Sequence, residues 1–102
     1  MLSFRKIGCV YIITNPGQSV LYTGVSSDLL GRTWQHREHI YQKSFTNRYN
    51  CIRLVYFCYY DTIGEAISAE KRIKGGSRVK KIKLVESINP NWEDLWEAIQ
   101  DY

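Results

Sequence analysis

No stretch of this 102-residue chain is apolar for long enough to span a bilayer, and its N-terminus has no apolar signal-peptide core. Both absences point to a protein that stays in the cytoplasm, away from membranes. Cysteine is scarce and odd in number, and Cys9, Cys51 and Cys58 fit no zinc-binding spacing. Cys9 and Cys58 fall in strand-like runs, so buried free thiols in a reducing compartment are expected, not a disulfide frame. No repeat, linker or low-complexity tract interrupts the chain. Its length suffices for one core without staples, so residues 1–102 are expected to form a single domain.

Charge is present in ordinary amount but unevenly placed. The net charge is +4; residues 71–83 hold seven basic side chains and no acid, and the last eleven residues hold four acids and no base. Lys71, Arg72, Lys74, Arg78, Lys80 and Lys81 could form a face for a polyanion. A solvated helix face accounts for the same charges equally well.

The hydrophobic pattern divides into short elements. Val10–Thr14 and Val20–Tyr22 read as an antiparallel hairpin joined by the turn-rich Asn15–Ser19. Ser26 or Ser27 is expected to cap a helix that runs to about His39 or Ile40, with Asp28 in its first turn and Leu30 and Trp34 as core anchors. Residues 41–50 read as a loop and Arg53–Tyr60 as a third strand. Thr62–Glu65 is a capping box opening a second helix, which ends at Gly75-Gly76. Ser77 caps a third helix that Asn89-Pro90 stops, and Asn91 is expected to cap a short terminal one carrying Trp92, Leu95, Trp96 and Ile99. The order β-β-α-β-α-α-α predicts an α+β fold, a small three-stranded antiparallel sheet flanked by helices.

One residue breaks the pattern. Ile63, Ala66, Ile67 and Ile73 share a helical stripe, and Glu70 lies on it. An inward carboxylate needs a cation or hydrogen-bond donors to meet it. The spacing allows either a basic side chain or a divalent metal.

Tyr11 and Tyr22 stand on neighbouring strands, followed by Gly24, Ser26-Ser27-Asp28-Leu29, Arg32 and His36, and later Glu70. In this order and spacing the chain resembles the GIY-YIG nucleases, in particular their small single-domain bacterial branch of URI-type endonucleases, over roughly residues 8–95. Of the two name-giving triplets only the tyrosines and Gly24 are retained literally, in Val10-Tyr11-Ile12 and Tyr22-Thr23-Gly24. The excision-repair members carry a lysine directly after that glycine; here the position is Val25, and Lys43 is a candidate substitute.

The resemblance implies a metal-dependent DNA endonuclease, with a role in DNA repair or processing. It assigns Glu70 to a single magnesium or manganese ion, and Arg32 to the charge that develops on the phosphate. Tyr11, with Tyr22 as the alternative, is implied as general base, assisted by His36. A free tyrosine titrates near 10, so a neighbouring cation would have to lower it. Asn89, with Asn91 as the alternative, matches a polar position after the glutamate helix. Gly24 fits a turn from strand to helix beside a phosphate. The basic run would follow the DNA backbone, and Tyr41, Phe45 and Tyr49 with Lys43 and Arg48 could stack on unpaired bases. A protein partner for targeting, and a monomeric or weakly dimeric state, complete the expectation. The competing reading is a nucleic-acid-binding module that uses the same basic surface without cutting.

Overall fold

The computed structural model describes residues 7–38 and 48–100. Among them run β1 (Gly8–Thr14), β2 (Leu21–Ser26), α1 (Leu29–Arg37), β3 (Arg53–Tyr60), α2 (Ile63–Lys74), α3 (Arg78–Ile88) and α4 (Trp96–Gln100). Among the described residues the expected element order and the α+β class hold, except that Arg48 is helical within the segment expected to be a loop. The sheet is three-stranded in the order β2-β1-β3, with both pairings antiparallel. The short hairpin joins β1 to its neighbour β2, and β3 pairs with the other side of β1. A bulge between Ile12 and Ile13 shifts the β1–β3 register.

Alternation along β1 sorts the core into two layers. Cys9, Tyr11 and Ile13 pack with Leu29, Cys51, Leu54 and Ile99, under α1 and α4. Val10 and Ile12 face the other way: Val10 meets Ala66 and Ala69 of α2, and Ile12 meets Val55, Tyr56 and Val85 of α3. Alanine is the buried residue of α2 because the helix lies very close to the sheet. A Cβ at Gly8 would fall 2.8 Å from the Ala66 Cβ and 3.0 Å from the Ile63 Cα.

The helix ends follow local chemistry. Thr62 accepts from the Glu65 amide at 3.1 Å, as the capping box requires, and Ser77 accepts from the Lys80 amide. Asn89 closes α3 before Pro90. Among the described residues no helix is long and apolar enough to cross a membrane.

Several boundaries and faces differ from expectation. Asp28, not Ser26 or Ser27, caps α1, accepting from the Gly31 amide, because β2 continues through Ser26. Leu30 and Trp34 are 45% and 49% exposed; the buried residues of α1 are Leu29, Thr33 and His36. Capping at Asp28 starts the helix at Leu29, and the i, i+4, i+7 row of Leu29, Thr33 and His36 meets the sheet. Ile63 and Ile67 are likewise exposed, since the close approach of α2 admits only Ala66 and Ala69. The terminal helix begins at Trp96, where Asp94 Oδ1 accepts from the Trp96 amide; Trp92 sits in a turn with φ of 54°. His39, Ile40, Tyr41, Lys43 and Phe45 lie outside the described residues.

Candidate active site

Tyr11 points from the central strand into the layer beneath α1, and its ring crosses β2 where Gly24 is its register partner. A Cβ at Gly24 would come within 2.5 Å of the Tyr11 hydroxyl oxygen, so the missing side chain makes room for this phenol. This corrects the expected turn: Gly24 lies inside β2, and no glycine takes a positive φ among the described residues. Its contribution is a gap, not a change of chain direction.

Tyr22 stands two residues earlier on β2 and faces the same layer, opposite Ile13. α1 then brings His36 down onto both phenols. The ring centroids lie 6.5 Å apart for Tyr11–Tyr22 and 5.9 Å for each tyrosine with His36. The Tyr11 hydroxyl is 3.2 Å from His36 Nε2. Arg32, one turn before His36 on α1, is half-buried and acts on both groups electrostatically.

Burial sets the protonation of this pair. His36 is pushed down to about 4, first by burial and then by the Arg32 charge, so the imidazole is neutral at physiological pH. Burial and the neighbouring Tyr22 hold the Tyr11 phenol well above its usual range; Arg32 opposes this, while Glu70 adds to it. Of the cations that would have to lower the tyrosine, Arg32 acts in that direction, but lost hydration outweighs it. With a protonated phenol against a neutral imidazole, the tautomer bearing hydrogen on Nδ1 lets Nε2 accept from Tyr11.

Glu70 reaches this group from the opposite layer. α2 packs along β1 and β2, its carboxylate side chain is 13% exposed, and that charge is felt at Tyr11. Lys74, one turn on, sits 3.2 Å from Glu70 Oε2 with its Nζ 5.8 Å from the Tyr22 ring centroid. Tyr11, Tyr22, Arg32, His36 and Glu70 therefore converge at the β2 edge, from both layers of the sheet.

Asn89 is placed differently. Its Nδ2 donates to the carbonyls of Val55 and Glu93, and its Oδ1 accepts from the Glu93 amide. Both side-chain donors and the acceptor are thus engaged with backbone, tying the end of α3 to β3. Of the basic run, Lys71, Arg72, Lys74, Arg78 and Lys80 are exposed and Lys81 is half-buried. Arg72, Lys80 and Lys81 rim a pocket of about 190 Å³ between α2 and α3, floored by Ile73 and Leu84. Arg78 donates to the Gln18 and Ser19 carbonyls of the hairpin loop.

The basic side chain expected as one possible partner of Glu70 is Lys74, at the i, i+4 spacing. The ion pair of Arg37 with Asp94 at 2.6 Å joins residues 57 positions apart, which no local pattern reveals.

An oxygen donor such as the Glu70 carboxylate is the kind of ligand that hard divalent cations take. Glu70 offers a single carboxylate, and no group of three or more His, Cys, Asp or Glu side chains gathers among the described residues. One carboxylate suits magnesium, which keeps most of its waters and takes its other ligands from substrate phosphate.

The family described as the GIY-YIG catalytic domain matches residues 7–83. A UPF0213 protein of Haloquadratum walsbyi is 36% identical over 77 residues, 76% of this chain and 84% of that protein. A second UPF0213 protein, from Staphylococcus saprophyticus, is 37% identical over 76 residues, 74% of this chain and 90% of that protein. No solved structure matches significantly.

Proposed function

The chain belongs to the GIY-YIG family, and from that membership we propose a metal-dependent endonuclease that hydrolyses phosphodiester bonds in DNA. The observation that carries the proposal is the convergence of Tyr11, Tyr22, His36, Arg32 and Glu70 at one sheet edge, although Glu70 lies 59 positions beyond Tyr11 in sequence and in the opposite layer. A binding surface alone has no need of a tyrosine–histidine hydrogen bond beside a half-buried arginine.

Glu70 would hold the magnesium or manganese ion, whose chemistry is Lewis-acid stabilisation of charge on the phosphate and the leaving oxygen. Arg32 would bind a phosphate oxygen through its planar fork and remain charged as negative charge builds. The proton passes through the Tyr11–His36 pair. The Tyr11 oxygen takes a proton from the attacking water while its own moves to His36 Nε2. The water oxygen forms its bond to phosphorus as the bond to the leaving oxygen breaks. Burial is the first cause that depresses His36 and the Arg32 charge the second, and a phosphate beside Arg32 would offset the second. Tyr22 walls the pair from the other side.

The test is incubation with single-stranded, flapped and duplex DNA, with magnesium and with a chelator. Cleavage that needs the ion and disappears in Glu70→Ala while DNA is still bound is the expected result. Binding with no cleavage of any of these substrates would make the protein a nucleic-acid-binding module instead.

A further inference from the structure

Lys74 departs from the rest of the basic run. The other cations of residues 71–81 face solvent, line the α2–α3 pocket or hold the hairpin loop, whereas the Lys74 ammonium turns back to Glu70 at 3.2 Å. The two ends of this contact differ in exposure: the lysine side chain is 55% exposed and the glutamate side chain 13%. The same ammonium lies 5.8 Å from the Tyr22 ring centroid, and Tyr22 belongs to the Tyr11–His36 cluster. The Lys74 charge therefore stands against the carboxylate and beside the aromatic wall.

We infer that Lys74 is a built-in, displaceable counter-ion for Glu70, which holds the carboxylate in place and sets how readily a divalent cation enters. The inference rests on the reading of Glu70 as the metal ligand. Three properties support it. A mostly buried carboxylate is unfavourable without a partner, and the i, i+4 spacing supplies one as soon as α2 forms. An ion pair with one solvated end is weak and easily exchanged. The four-carbon stem lets the ammonium swing aside without moving the helix, and the electron-rich Tyr22 face gives it a place to rest. Two cations cannot share the carboxylate without repelling each other, so Lys74 lowers metal affinity in the absence of substrate. A phosphate group relieves that repulsion by taking up the released ammonium. The ion is thus retained best when DNA is present, and Lys74 acts as a positioning residue that couples the two.

The test is titration with Mn²⁺, following the free-ion electron paramagnetic resonance signal, for the wild type and for Lys74→Met, Lys74→Gln, Lys74→Arg and Glu70→Gln without DNA. Lys74→Met and Lys74→Gln should bind Mn²⁺ tighter on the order of tenfold, the scale of repulsion between a monovalent and a divalent cation a few ångströms apart in water. Lys74→Arg, which keeps the charge, should stay within about twofold of wild type, and Glu70→Gln should lose binding. Because Lys74 is exposed, the substitutions leave the core intact, and two neutral variants guard against a local packing effect. Neutral variants that bind no tighter than wild type, with Glu70→Gln still abolishing binding, would overturn the role of Lys74 and leave the metal assignment standing. No Mn²⁺ bound by any variant, either alone or beyond the DNA's own uptake when a short duplex is added, would overturn both.

Discussion

Tyr11 and His36 meet across 3.2 Å with neither of them charged at neutral pH, and burial is the first cause for both. The histidine makes this measurable in stability. Its pKa falls from 6.5 in the unfolded chain to about 4 in the fold, so between those values the unfolded chain holds a proton that the folded one refuses. Stability should drop as pH falls through that window. In urea unfolding at pH 7 and pH 5, the wild type should lose about 1–2 kcal/mol more than His36→Gln. Tyr11→Phe removes little volume but takes the hydroxyl from buried His36 Nε2, so it should cost about 1–3 kcal/mol in stability while DNA affinity changes little. Its cleavage rate should fall by about 10²–10⁴-fold, the usual contribution of a positioned proton-transfer group. At this scale the sequence singled out two residues that the fold brings into contact, but not that lost hydration outweighs Arg32 at the tyrosine. How much water a side chain loses depends on packing from both sheet layers, which one strand's pattern does not contain.

At the scale of elements, β2 is an edge strand with a gap in it. Gly24→Ala would place a methyl group against the Tyr11 hydroxyl and force the ring aside. Circular dichroism should show a folded protein destabilised by about 1–3 kcal/mol. Single-turnover cleavage should be nearly lost, because the Tyr11–His36 contact cannot survive the shift. The C-terminal segment has its own fastening. Asp94 accepts from Arg37, from the Leu54 amide and from the Trp96 amide, and the Leu95 amide donates to the Leu54 carbonyl. Asp94→Ala should cost about 1–3 kcal/mol in chemical unfolding, because it leaves partly buried donors without their acceptor. Strands, the capping box at Thr62 and the stop at Asn89 were legible because each depends on residues within a few positions. The inward face of α1 was not. Leu30 and Trp34 form as good an apolar row as Leu29, Thr33 and His36, and only the position of the sheet chooses between them.

Over the whole molecule, charge separates by task. The C-terminal Asp94 is spent on an internal tie to Arg37, and Glu86 accepts from the Trp92 indole, while Arg72, Lys80 and Lys81 border the pocket between α2 and α3. If these cations follow the nucleic-acid backbone, binding should weaken steeply with salt. Replacing Arg72 and Lys80 by alanine should flatten the slope of log affinity against log salt by about 0.9 per lost phosphate contact, measured by fluorescence anisotropy. The cleavage rate at saturating DNA should be preserved. The basic run was legible as composition, and its division between a pocket, a hairpin clasp and the Glu70 partner was not, because helix rotation sends neighbouring residues to different surroundings.

Tyr11 hangs beneath one layer of the sheet and Glu70 comes from the helix that covers the other, so anything gripping both spans the seam at β2. Such a ligand works as a rivet, and its affinity is added to the protein's resistance to unfolding. The occupied protein should outlast the empty one under protease, with α2 the first part to be spared.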